Sequence, residues 1–443
     1  MKSPPAIRAV RYLSALGTPL LYSMAAVVLG MAVPRLEVRF LPDLSIGIGA
    51  ASAISVLSAI ASGMMPLTGL VFSLAFVMVQ FSTTAYSPRL VGWLAGSSVM
   101  RHSLGIFTAT FLYAVAALLW IDREGTGRVP PLTLWLALSL LLASVLFFVL
   151  LIDKLGMLRI SRILAYAGEQ GRLVIDRDYA PLAPSGDGRA AGGNRREEEL
   201  PAVRQVLVHR GGPRVIQAIE IQRLVTLAAR EGAVFAMAWA VGDTVMDGMP
   251  LLRVHGGARP VAERRLRRLV HLGPERTFEQ DPKYAIRILV DVAIKALSPA
   301  INDPTTAVQA LDHVEDLLLR LGRTSLSAGR VHDARGELRL VFPVPRWEDF
   351  LVLAFDEIRF YGETSIQVMR RLRALLQDLS EQVPPARRPA LRVYLERVDN
   401  GIRRAFTDEE DRRDALEEDR QGLGLSRPRS TGSAAPPARP AAG

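Results

Sequence analysis

The sequence predicts a membrane α-helical protein, with four transmembrane helices, followed by a cytoplasmic α/β unit and a C-terminal helical region. Three observations carry that prediction. Leu44–Pro88 runs 45 positions without a charged side chain, and crossing a hydrocarbon core of ~30 Å takes roughly 20 apolar residues. Three further uncharged windows, Tyr12–Pro34, His102–Ile121 and Val129–Ile152, crowd into the same 152 residues. From Asp153 onward the pattern changes to amphipathic segments with charged faces.

The resulting division is 1–152 for the spans, 153–200 for a membrane-proximal helix and loop, and 201–280 for the α/β unit. Residues 281–421 form the helical region and 422–443 a Pro/Ala/Ser/Arg tail with nothing to bury, expected to be disordered. The first apolar stretch exceeds a signal peptide's 7–15-residue core, and Ala-Val-Pro34 is a poor cleavage site. An uncleaved first span is expected.

Leu44–Pro88 has room for one span or two, and the basic residues arbitrate. Four spans with the N-terminus inside put 8 Lys/Arg in inner segments and 4 in outer ones; five spans give 5 against 7. Four spans with both termini cytoplasmic are therefore expected, in a bacterial inner membrane. The second span is placed at Ser62–Thr84. The Gly/Ala/Ser-rich Leu44–Ala61 is then interfacial, re-entrant or an extension of that span. No Asp, Glu, Lys or His is expected buried in a span, which argues against proton pumps and voltage sensors. The hydroxyls and amide of Ser73, Gln80 and Thr84 are candidates to line a pore in an oligomer, with Arg89 and Arg101 at its mouth. The plainer alternative is hydroxyls bonded to their own helix backbone or joining helices.

In the second half, Ala202–His209 alternates as a strand, Ile216–Glu231 has helical period and Ala233–Ala240 is strand-like. Val241–Val254 resembles the hairpin repeat of biotinyl and lipoyl carrier domains, without the lysine that takes the cofactor. It is expected to be a β-hairpin turning at Gly242 and Gly248. Arg264, Arg265, Arg267 and Arg268 come next, on a short helix.

In Lys283–Leu297 the charges fall only at Lys283, Arg287, Asp291 and Lys295, one stripe on an otherwise apolar helix. The helix breaks at Ser298-Pro299, and Asp303-Pro304 starts the next as N-cap and first helical residue. Asp291, Ser298, Asn302, Asp303, Thr305 and Thr306 are the candidate ligand or structural loop, the simplest reading being a well-capped αα-hairpin. Beyond a Pro/Gly-rich connection, Trp347–Phe360, Ser365–Val383 and Ala390–Phe406 read as helices.

Zero cysteines exclude disulfides, thiolate metal sites and a thiol nucleophile. The six histidines have no ligand-like spacing. No catalytic residues, metal or cofactor are expected. The charge of +10 fits positive-inside loops and an Arg-rich tail; no groove-reading motif points to nucleic acid.

Phe81–Leu90, Leu104–Phe107 and above all Asp291–Ala307 (DVAIKALSPAINDPTTA) resemble the bacterial "predicted membrane protein" family, domain of unknown function 2254. The resemblance covers roughly residues 10–410 and implies four spans with a cytoplasmic C-terminal region, without an activity or cofactor. Two functions are expected in turn: an oligomeric channel or conduit gated by the cytoplasmic domain, or a membrane-anchored sensor or scaffold. An enzyme ranks behind both. The expected partners are the lipid bilayer and further copies of the chain; an ion or small-molecule ligand is left open.

Overall fold

The computed structural model describes residues 5–40, 48–85, 98–121, 129–156, 160–179, 200–326 and 329–425. It divides into two compact units, Met1–Ile163 and Leu164–Gly443.

The first unit is built from α1 (Pro5–Phe40), α2 (Ala50–Ala85), α3 (Ser98–Leu118) and α4 (Pro131–Gly156). Each contains a stretch long and apolar enough to cross a membrane: Gly17–Phe40, Ala50–Leu74, Val99–Leu118 and Pro131–Asp153. Leu21, Phe76 and Leu142 turn outward, each about two-thirds exposed or more. Apolar surface of that kind is matched to lipid rather than water.

Small residues set the helix spacing. A Cβ on Gly30 of α1 would lie 2.7 Å from Ala116 Cβ and 3.1 Å from the Tyr113 carbonyl of α3; one on Gly105 of α3 would meet Tyr22 at 2.9 Å. Such close approach is how helices associate where lipid removes the hydrophobic drive. Thr110 and Ser144 hydroxyls join α3 to α4 at 2.8 Å.

One expectation is extended and one changes here. Ala50–Leu74 is apolar enough to cross a membrane and shares residues 62–74 with the expected Ser62–Thr84, several of whose later side chains lie outside the described set. Residues 50–61 pass without a break into the rest of α2, so they extend the span; 44–47 lie outside the described residues. The first stretch does not end at Pro34. The helix runs through Pro19 and Pro34 to Phe40 and carries Glu37, which is 3% exposed, so a buried carboxylate stands near the end of the first apolar helix.

The second unit takes most of α5 (Ile160–Asp178), which begins in the first. Strands β1 (Val203–Val208), β2 (Arg214–Ile219), β3 (Ala233–Met237), β4 (Thr244–Val245), β5 (Pro250–Gly256), β6 (Val270–Gly273), β7 (Gly329–His332) and β8 (Leu338–Phe342) form two sheets. The five-stranded sheet has the order β1-β5-β3-β8-β7 and the three-stranded one β4-β2-β6. Only β3 and β8 pair in parallel among the described strands. Leu207, Phe235, Leu252, Val254 and Leu340 pack with Leu224, Val225 and Ala228 of α6 (Ile221–Arg230) in one core.

Ile216–Ile219 is therefore strand, not the start of a helix; its central position between β4 and β6 overrides the helical spacing of its apolar residues. Gly242 and Gly248 do turn with positive φ, +92° and +82°. Yet the expected hairpin does not form, since β4 pairs with β2 and β5 with β1 and β3. The connection before Trp347 contains the β7–β8 hairpin, which completes the larger sheet from within 281–421.

The arginine-rich helix is α7 (Glu263–Arg267). The helical region comprises α8 (Pro282–Ala296), α9 (Pro304–Gly322), α10 (Trp347–Tyr361), α11 (Ile366–Gln382), α12 (Arg388–Ala405) and α13 (Glu409–Leu416). Residues 422–425 are not free of the fold: the buried Asp419 carboxylate accepts from the amides of Gln421, Gly422 and Leu425. The rest of the tail lies outside the described residues.

Candidate functional site

Helix α8 starts where its sequence says it should. Asp281 caps it, accepting from Tyr284 N at 3.2 Å, and Pro282 occupies the first turn. Burial lifts the Asp281 carboxyl above its ordinary range, against the opposing pull of Arg276, 2.7 Å away. Three sides of α8 are buried, leaving the charged stripe. On it Arg287 Nε donates to Asp291 at 2.7 Å, while its Nη1 and Nη2 take both oxygens of Glu357 on α10, at 2.5 and 2.9 Å. The Glu357 hydrogen bonds raise the guanidinium's pKa further. Asp291 thus holds the arginine that ties α8 to α10.

The turn into α9 uses its polar groups inwardly. Ser298 Oγ donates to Lys295 O, and the amides of Ile301 and Asn302 donate to Ser298 O. The Asp303 amide donates to Ala296 O. The Asp303 carboxylate accepts from Thr306 N at 3.1 Å and from its hydroxyl at 2.6 Å. Asn302 has φ +49°, the one left-handed non-glycine among the described residues. Of the six loop candidates only Asn302 and Thr305 are exposed. The geometry is a doubly bonded cap around a strained turn.

Helix α9 is the hub of this region. Its Asp312 and Glu315 both pair with the buried Arg371 of α11, whose Nη1 lacks a hydrogen-bond partner. On another side α9 meets α5 through two glycines: a Cβ on Gly168 would lie 2.8 Å from His313 Nδ1, and one on Gly171 2.7 Å from Leu317. Arg172 to Asp316 (3.5 Å) and Asp176 to Arg320 (2.9 Å) flank that seam. The sequence reading missed it, although a Gly-x-x-Gly spacing inside a predicted helix was the visible signal.

In the first unit the pore candidates Ser73 and Gln80 lie on α2 and are exposed in a single copy. Thr84 is on the same helix, its side chain outside the described set, and Arg89 lies outside the described residues. Arg101 is half-buried in the first turn of α3. Thr68 and Ser62 hydroxyls bond their own helix backbone, at 2.8 and 2.6 Å. Glu37 was missed because the uncharged window stops at Pro34. Its carboxylate accepts from Leu132 N (2.6 Å), Thr133 N (3.1 Å) and Thr133 Oγ1 (3.1 Å), capping α4 from a different helix. Nearby, Arg35 lies 3.9 Å over the Trp120 ring.

Four apolar helices followed by a helical region with mixed sheet define a multi-helix membrane protein with a large extramembrane unit. The chain belongs to the family described as "Predicted membrane protein (DUF2254)", which matches residues 14–378. It is similar to uncharacterized proteins of Mycobacterium bovis and Mycobacterium tuberculosis, 28% identical over 413 residues, or 90% of this chain and 75% of theirs. No solved structure matches it.

Proposed function

We propose that the chain is a homo-oligomeric conduit of the bacterial cytoplasmic membrane, assembled along α2 and gated by its second unit. The supporting observation is one line on α2: Ser52, Ser55, Ala59, Ser62, Pro66, Gly69 and Ser73, spaced alternately three and four residues apart and all exposed in a single copy. The opposite face, with Ala53, Leu57, Ile60, Met64 and Val71, is the one buried in its own bundle. A three-four repeat of small residues suits a second helix crossing at a shallow angle. A groove of about 600 Å³ lined by Ser58, Ala61, Ser62, Met65, Pro66, Phe111 and Leu118 runs beside the line.

The helix is 36 residues long, about 54 Å at ~1.5 Å per residue, so it would tilt or extend beyond a ~30 Å core. No fixed charge lies on the line, so hydroxyls and carbonyls would set selectivity, with Arg89 and Arg101 favouring anions near the mouth. The second reading, a scaffold or sensor without a pore, draws on the Ser62 hydroxyl, which is used by its own helix backbone.

The cysteine-free chain makes the test clean. Ser62→Cys is expected to cross-link between copies in the membrane, while Leu142→Cys, on the outward face of α4, does not. Ion flux into proteoliposomes should then exceed that of empty vesicles, falling in Gln80→Leu and losing anion preference in Arg89→Glu or Arg101→Glu. Cross-linking without flux would favour the scaffold; neither would end the oligomer reading.

A further inference from the structure

We propose that the contact holding α5 on α8 and α9 is pH-sensitive at His313, and that a proton taken up by this imidazole releases α5. The proposal goes beyond the conduit reading and stands without it.

The seam has no slack. Gly168 brings the α5 backbone so close to His313 that even a methyl group there would sit 2.8 Å from Nδ1. Three residues on, Gly171 admits Leu317 of α9 and Ala285 of α8, at 2.7 and 2.9 Å from the same virtual atom. The imidazole is thus half-buried against the α5 backbone.

The charged groups around it come from three helices. Helix α5 supplies Arg172 and Glu169, which are 3.3 Å apart. Helix α9 supplies Asp312, Asp316 and Arg320 beside His313 itself, and α11 supplies Arg371. Asp312 accepts from Arg371 Nε at 2.9 Å, while Asp316 stands 3.5 Å from both Arg172 and Arg320 with its buried Oδ2 accepting no hydrogen bond. An imidazolium here would face burial and the Arg172 guanidinium, with Asp312 held by Arg371 and Asp316 shared between two arginines. Burial first, then Arg172, lower the His313 pKa below the ordinary 6.5, and Asp312 and Asp316 only partly oppose them.

Linkage sets the sign. A group whose pKa is depressed in the docked state binds protons more readily when undocked. Docking is therefore complete above the ordinary imidazole pKa and weakens as pH falls below it. Ordinary histidine chemistry places this window within reach of mild acidification.

Hydrogen exchange of the full-length protein in lipid nanodiscs reads the contact directly, through backbone protection of residues 164–178 corrected for intrinsic rates. Between about pH 7.5 and about pH 5.5, a range bracketing free imidazole, wild-type protection of this segment should drop several-fold. In His313→Gln it should hold at the wild-type neutral value throughout. His313→Phe, which keeps the ring's bulk and never ionises, is run alongside it in case glutamine packs poorly. A wild-type segment indifferent to pH overturns the proposal, as does a failure of both variants to give pH-independent protection at the wild-type neutral level.

Discussion

At the scale of single residues, Glu37 and Asn302 carry the sharpest consequences. Glu37 fills the role of an N-cap from across the bundle, taking two of the backbone donors that a helix start leaves unpaired. Its charge also faces the favourable end of the α4 dipole. Glu37→Ala strands those donors in a buried site, and leaving such groups unpaired costs about 1–3 kcal/mol. The melting temperature in detergent should fall clearly, with Glu37→Gln intermediate because its amide oxygen still accepts. Equal melting for all three proteins would show that water replaces the carboxylate. Asn302 sits at a left-handed position that asparagine tolerates and alanine does not. Asn302→Ala should therefore cost about 1–2 kcal/mol, similar to the ~1 kcal/mol for removing the Asp303 cap. Asn302→Gly keeps the backbone and removes the side chain, so it separates ligand binding from folding where alanine cannot. Denaturant midpoints of the three variants check the order.

At the scale of elements, packing across helices was less legible than the helices themselves. Charge-free windows located four helices, the four-residue charge stripe located α8 and the Asp303-Pro304 cap located α9, because all three signals are local. Ile216–Ile219 went astray because a short apolar run fits either period, and the deciding partners, Thr244–Val245 and Val270–Gly273, come from later in the chain. The β7–β8 hairpin hid in a Pro/Gly-rich stretch for the same reason: its pairing with β3 reaches back about a hundred residues. The candidate loop was legible as a cap, but its strained Asn302 was not, since asparagine serves many turns. Glycines now separate two kinds of helix surface. Gly30→Ala should lower thermal stability, because a Cβ there meets Ala116 at 2.7 Å, whereas Gly63→Ala should leave a single bundle's fold intact, with nothing within 4 Å of the added atom. Melting of the two variants in detergent, where copies are diluted apart, makes the comparison; an equal loss in both would show that the close approach at Gly30 does not set its cost.

At the scale of the whole molecule, helix directions within the first unit constrain the path through the membrane. Tyr22 meets His102 and Arg35 meets Trp120, so α1 and α3 run in the same direction. Ser103 pairs with Phe147 and Tyr113 with Thr133, so α4 runs against α3. One continuous helix, α2, lies between α1 and α3 in the chain. An odd number of crossings must return the chain between two parallel spans, and α2 supplies one. The start of α1 and the end of α4 thus belong on one side. We propose that this side is the cytoplasm, because cytoplasmic segments carry a Lys/Arg excess and the sequence count is 8 against 4. Alkaline phosphatase, which works only after export, should be active when fused after Gly125 and inactive after Gly168. Activity at Gly168 alone would invert the whole protein and place the second unit outside. Activity at both would put an unrecognised crossing between the end of α3 and α5, contradicting the single α4 between them.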